Sequence, residues 1–237
     1  MTMTREAIRT VPRSGYDDLP RLMSLMTGDE KHSSAATSTL DVLWVLYDRV
    51  LDISPENIDD PGRDRFYLSK GHGPMAYYAV LAAKGFLDEN LLPGWGSFDS
   101  PLGYHPDRNL VPGVEISSGS LGHGLPLAVG SALGLRAQGL DARIVVLVGD
   151  AELDEGSNHE AIELAGALGL DNLAVVVVDN RSSTYNRPGQ IAPRFANEGW
   201  RTATVDGRDH AHLEAALKSR TPGRPSVVVA EVEEKYL

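Results

Sequence analysis

Two stretches decide the fold: RIVVLVGDA, residues 143–151, and LAVVVVDN, residues 173–180. Each is a continuous apolar run, rich in β-branched valine, that ends in an acidic or amide residue. Between them, residues 158–168 carry a helical pattern. Fully apolar strands separated by a helix mark a parallel sheet covered on both faces. The expected class is α/β: a doubly wound parallel sheet with helices on both faces. Ligands of such sheets sit beyond the carboxyl ends of the strands.

Working outward, residues 226–232 read as a last strand and 208–218 as a helix before it. Upstream, 121–138 is a helix rich in glycine and alanine. Residues 66–68 form a short buried strand that runs into Ser69-Lys70-Gly71-His72-Gly73, and a helix follows over 75–84, ending at Gly85. The segment 91–114 is rich in Gly and Pro and too long for a simple connection, as functional loops often are. Apolar spacing predicts helices over 35–51 and 16–27. Residues 1–15 read as a polar, mobile arm, leaving 16–237 as one domain.

The 237 residues carry 42% hydrophobic and 6% aromatic side chains, enough for a sizeable core. A net charge of −11 argues against nucleic acid as a partner. The absence of cysteine excludes disulfides, thiolate ligands and a cysteine nucleophile, and suits the cytoplasm, the expected compartment. No apolar run reaches the ~18 residues of a membrane span.

Asp150 and Asn180 stand thirty residues apart, at the ends of strands joined by one crossover. In a right-handed parallel unit both project at the same sheet edge. An aspartate and an asparagine side by side are oxygen ligands for a hard cation such as Mg²⁺ or Ca²⁺, and Mg²⁺ shares its octahedral shell with substrate phosphates. The backbone carbonyl of Ser182 would be a third ligand. Taken singly, Asp150 could be a helix cap and Asn180 a turn residue; the pair at this spacing favours the metal. No Gly-x-Gly-x-x-Gly lies between an early strand and helix, which sets aside a nicotinamide site.

At this point the chain resembles a family. Gly149-Asp150-Ala151 followed by Asp179-Asn180 is similar to the thiamine diphosphate motif, which begins Gly-Asp-Gly and ends Asn-Asn or Asp-Asn one crossover later. ELDEGSNHEA, 152–161, looks like transketolase. LSKGH, 68–72, resembles that family's Gly-His segment, and SSGSLGHG, 117–124, its Gly-x-Leu-Gly-x-Gly segment. His32 sits where the family keeps a histidine. Ala151 stands where the motif has glycine, and Lys31-His32-Ser33 where the family's histidine is flanked by glycine.

The resemblance implies thiamine diphosphate and Mg²⁺ (or Ca²⁺) as cofactors, with the cofactor carrying the hard chemistry and the protein positioning it. It implies Asp150, Asn180 and Ser182 at the metal. Gly149 and Ala151 would approach the diphosphate, with Thr184 close by in the same loop. Gly119 and Leu121 would lie beside the aminopyrimidine. His32 and His105 would line the channel and bind sugar hydroxyls, and His72 would contact the diphosphate and the reacting centre. Glu155, with Glu160, would link cofactor sites across a subunit interface. The family's pyrimidine domain, and its glutamate that activates the cofactor, are not in this sequence, nor is a further histidine of the family. A separate pyrimidine-domain subunit, two copies of each chain and sugar or sugar-phosphate substrates are therefore expected. The activity implied is transfer of a two-carbon ketol unit. A 2-oxo-acid decarboxylase or dehydrogenase component, two-carbon transfer to a carrier protein, and a non-catalytic regulatory module are the other readings. His123 and His159 are expected to be structural, and His210 and His212 to lie on a surface helix.

Overall fold

The computed structural model describes residues 13–28, 34–71 and 74–235. Five strands form one sheet: β1 (Arg65–Leu68), β2 (Ile144–Gly149), β3 (Leu173–Asp179), β4 (Arg201–Asp206) and β5 (Ser226–Glu231). Every pairing is parallel, in the order β1-β2-β3-β5-β4. β5 thus enters between β3 and β4.

Side chains alternate across a strand, and here the alternation divides two cores. Val145, Leu147, Val176, Val178 and Val228 face one side. There they pack under α1 (Leu19–Leu25), α2 (Leu40–Val45), α3 (Pro74–Ala83) and α7 (His210–Lys218). Ile144, Val146, Val148, Val175, Val177 and Val229 face the other, under α4 (Gly124–Ala137), α5 (Gly156–Ala167) and α6 (Ile191–Asn197). The doubly wound sheet is as expected. Among the described residues no helix is long and apolar enough to cross a membrane.

Four details differ from expectation. The helix over 35–51 is interrupted. A turn, Ser34–Thr37, is followed by α2, which then widens into a π-helical turn, Leu46–Val50. There the Leu51 N–H reaches back to the Leu46 carbonyl at 2.8 Å. β4 and α6 are elements the pattern did not predict: β4 is a half-exposed edge strand, and α6 is short with Pro193 in its first turn. The arm is anchored earlier than expected. Ser14 N–H donates to the Ala83 carbonyl at 2.8 Å, and Arg13 pairs with Glu56. Residues 1–12 lie outside the described residues.

The fourth is His210, which is not a surface residue. It sits at the start of α7, and its Nε2–H donates to Asp41 Oδ1 at 2.7 Å. The Tyr16 hydroxyl donates to the same carboxylate, and Arg208 binds Oδ2 at 2.6 Å while also pairing with Glu233. Burial acts against ionisation of Asp41, but the bonds from Tyr16, His210 and Arg208 hold its carboxyl below the ordinary range. His212, by contrast, is exposed, as are His123 and His159.

Candidate functional site

β2 and β3 run in register, Gly149 opposite Val178, and Asp150 extends the ladder by donating its N–H to the Val178 carbonyl at 3.1 Å. Asp150 and Asn180 therefore leave adjacent strands at the same edge. Both are buried, 1% and 2% exposed.

The Asp150 carboxylate is oriented by three donors. Ser182 N–H and Ser183 N–H reach Oδ2 at 2.6 and 2.9 Å, and the Ser182 hydroxyl reaches Oδ1 at 2.7 Å. The loop that supplies them is braced in turn. Ser183 Oγ and Thr184 N–H donate to Asp154 at 2.7 and 3.1 Å. Asn186 Nδ2 donates to the Asp150 carbonyl at 3.1 Å, and Arg194 of α6 holds the Asn186 amide oxygen at 2.7 Å. The loop turns sharply at Arg181, φ +54°, in the left-handed region that costs a non-glycine residue roughly 1 kcal/mol. Asn180 is tied through its backbone, its carbonyl accepting from Lys235 N–H at 2.9 Å. Its side-chain Oδ1 is buried and accepts no hydrogen bond in the structure. A buried acceptor without a donor is costly, and beside a carboxylate it is what a hard cation would satisfy.

A cavity of about 180 Å³ opens next to these groups, lined by Lys70, Leu121, Gly149, Ala151, Glu152, Asn180, Ser182 and Lys235. Lys70 enters from the β1 side, its alkyl chain against Gly149 and its Nζ 3.4 Å from Ser38 Oγ. Burial lowers its pKa to about 8, against the pull of Asp150. The residues fit a diphosphate held through a divalent cation: oxygen donors, a buried acceptor awaiting a cation, and lysine charge for the anion.

His105 is largely exposed and reaches the segment before the cavity lysine: its Nδ1–H donates to the Gly71 carbonyl, the residue after Lys70, at 2.9 Å. The ring packs where a side chain on Gly119 would stand, with ring atoms 2.9–3.2 Å from that position, and Gly119 has φ +138°. Only glycine meets both demands.

The structure thus gathers Leu121, Gly149, Ala151, Asn180 and Ser182 at one cavity, with Asp150 bonded to Ser182 at its edge, and packs His105 against Gly119, two residues before Leu121. Thr184 and Glu155 do not line it. Thr184 is exposed and braces the loop through Asp154, and Glu155 is exposed beside the turn at Gly122. His32 and His72 lie outside the described residues. Sequence reasoning missed Lys70, Glu152 and Lys235 as cavity residues. Lys70 and Glu152 stood inside quoted motifs, and their burial as charged groups is visible only in three dimensions.

A parallel sheet with an oriented carboxylate and a bare amide oxygen at the carboxyl ends of adjacent strands, next to a lysine-lined cavity, defines an α/β domain built for a metal-bound diphosphate. The comparisons with known proteins name the family. Residues 24–232 match the family described as transketolase, thiamine diphosphate binding domain. The chain is 38% identical over 206 residues to one subunit of the apulose-4-phosphate transketolase of Actinobacillus succinogenes, covering 84% of this chain and 75% of that one. It is 57% identical over 228 residues to a Rhodococcoides fascians protein named ferredoxin fas2, covering 95% of this chain and 75% of that protein. Among solved structures, transketolase from Leishmania mexicana superposes with a TM-score of 0.77 at 27% identity, over 93% of this chain and 37% of that one. The chain belongs to the transketolase family and carries its thiamine diphosphate binding domain.

Proposed function

We propose that this chain is the diphosphate-binding half of a split transketolase. With a separate pyrimidine-domain subunit, it would transfer a two-carbon ketol unit from a ketose or ketose phosphate to an aldose. The observation that carries the reading is the pair Asp150 and Asn180, one oriented by three donors and the other with its buried Oδ1 unpaired. Asp150, Asn180 and the Ser182 carbonyl would hold Mg²⁺ or Ca²⁺. Gly149 and Ala151 would face the diphosphate, with the Lys70 charge opposite. Thr184 would keep the ligand loop in place. Gly119 and Leu121 would lie beside the aminopyrimidine. His32 and His105 would bind and orient sugar hydroxyls, and His72 would contact the diphosphate and the reacting centre, work suited to imidazole near neutral pH. The exposed Glu155 suits a contact between copies of the complex. Thiamine diphosphate, when bound, supplies the carbon centre that accepts and releases the two-carbon unit.

Two observations support a second chain. The cavity, at about 180 Å³, is smaller than the ~300–1,000 Å³ of pockets that enclose small molecules, which suits half a site. The Actinobacillus relative is named as one subunit of its enzyme. The expected assembly is two copies of each chain, in the cytoplasm.

A second reading has one observation behind it, the name of the 57% identical relative. The pair would then act on a 2-oxo acid, release carbon dioxide, pass the remaining acyl group to water or a thiol, and hand two electrons, one at a time, to an iron–sulfur protein. This chain has no cysteine to hold such a cluster itself.

The deciding experiment is calorimetric titration with thiamine diphosphate and Mg²⁺, on this chain alone and then with its partner subunit. Tight binding only in the mixture is expected, followed by turnover of ketose phosphates. Reduction of an electron-accepting dye with 2-oxo acids, and no ketol transfer, would favour the second reading. A formed complex that binds no cofactor would overturn both and leave a regulatory module.

A further inference from the structure

Glu152 is 1% exposed and has no part in the roles above. It follows Asp150 by two residues, in the short 3₁₀ turn Ala151–Asp154. Burial raises the pKa of its carboxyl, and bonds from three segments oppose that rise. The Ser69 hydroxyl donates to Oε1, Gly122 N–H donates to the same oxygen at 3.0 Å, and Gly149 N–H donates to Oε2 at 3.2 Å. Each donor is either a cavity residue or the chain neighbour of one: Ser69 precedes Lys70, Gly122 follows Leu121, and Gly149 itself lines the cavity and precedes Asp150.

The surroundings show how tightly this junction is made. Ser69 Oγ also accepts Gly124 N–H at 2.9 Å, at the first residue of α4. The Gly122 carbonyl accepts the Ser157 hydroxyl at 2.6 Å, so that turn is held at both its N–H and its C=O. Gly122 has φ +82°, and a side chain there would meet Ser157 and Glu155 within 2.7 Å, so the turn must be glycine and needs outside bonds to fix it. On the other side, Asn158 Nδ2 donates to the Glu152 backbone carbonyl at 2.6 Å, anchoring Glu152 to α5.

We propose that Glu152 is a positioning residue for the cofactor: its carboxylate, bonded to Ser69, Gly122 and Gly149, holds in register the three segments that present Lys70, Leu121 and Asp150 to the cavity. The role needs a carboxylate and not merely a polar side chain. A carboxylate has two acceptor oxygens, whereas an amide has one oxygen and one NH₂ group. With glutamine in place, the NH₂ faces either the Gly149 N–H or the Gly122 N–H, donor against donor. One segment must move away, although volume and fold are kept.

The inference rests on the thiamine diphosphate reading, and the test separates the two. The assembled complex is titrated with thiamine diphosphate and Mg²⁺ for wild type, E152Q and S69A, and each chain is melted without ligand. E152Q is expected to weaken cofactor affinity by about tenfold or more, and to lower the ligand-free melting temperature by only a few degrees, the cost of one unmatched buried donor, so that the chain stays folded throughout the titration. In turnover, E152Q raises the cofactor concentration for half-maximal rate and recovers most of kcat at saturation. S69A, which removes one of the three bonds, is expected to show a smaller loss of the same kind. E152Q binding within twofold of a wild type that does bind would overturn the positioning role alone. If E152Q does not fold, S69A decides, and unchanged affinity in S69A overturns the role. A wild-type complex without cofactor affinity overturns the cofactor reading itself, and this inference with it.

Discussion

At the scale of single residues, the site asks buried charges to wait for a ligand. Asp150→Ala is expected to abolish metal-dependent cofactor binding while the chain still folds; calorimetry showing unchanged affinity would remove the assignment. Lys70 is the more revealing case. Its pKa, near 8 in the folded chain against an ordinary value near 10.4, means that folding opposes its protonation. Below pH 8 the lysine is charged in both folded and unfolded chains, so the full penalty, roughly 3 kcal/mol, is present. As pH rises from 8 to about 10.4 the folded form has lost its proton and the unfolded form is losing it, and the penalty disappears. Lys70→Met is therefore expected to raise the ligand-free melting temperature at pH 7, less so at pH 9 and hardly at pH 10.5, while weakening cofactor binding. A melting temperature that falls equally at all three pH values would show that the lysine contributes packing only. The side-by-side placing of Asp150 and Asn180 was legible in the sequence because it follows from strand ends joined by one crossover. Lys70 and Glu152 were not, because their function follows from burial by segments distant in the chain.

At the scale of elements, the β2–α5–β3 unit was readable because five or more apolar residues in a row leave few alternatives. β4 was not, since RTATVD alternates and exposes one face. The helix predicted over 35–51 contained the right residues, but the Asp41 cluster joins α2 to Tyr16, Arg208 and His210, which are far apart in the chain. This cluster ties α2 to α7 and to the start of the domain. Asp41→Asn is expected to cost about 1–2 kcal/mol, since it leaves half-buried donors without their carboxylate. The sign with pH follows from the depressed pKa. The stabilisation is whole above the unfolded value near 4 and is lost as pH falls through the lower folded value. Urea denaturation of wild type and variant should therefore differ by a constant amount from pH 5 to 7 and converge in acid. A constant gap down to pH 2 would sink the assignment.

For the whole molecule, the sheet, the two cores and the position of the cavity agree with what the apolar pattern implied. In the sequence, the expectation of a second subunit rests on resemblance alone. The assembled enzyme is expected to sediment as two copies of each chain; a one-to-one complex with full activity would contradict a site shared between copies. The strand order carries a consequence for biosynthesis. β5 is made last of the five strands yet lies in the interior of the sheet, and the residues just after it hold Asp179 and Asn180, through Val232 N–H at 3.0 Å and Lys235 N–H at 2.9 Å. A nascent chain that has emerged from the ribosome only as far as β4 thus exposes the edges of both β3 and β4, and lacks the two backbone bonds that hold the carbonyls of Asp179 and Asn180. Such edges invite pairing with other chains. The ribosome has to deliver residues 226–235 before Asn180 is fixed at its edge of the sheet.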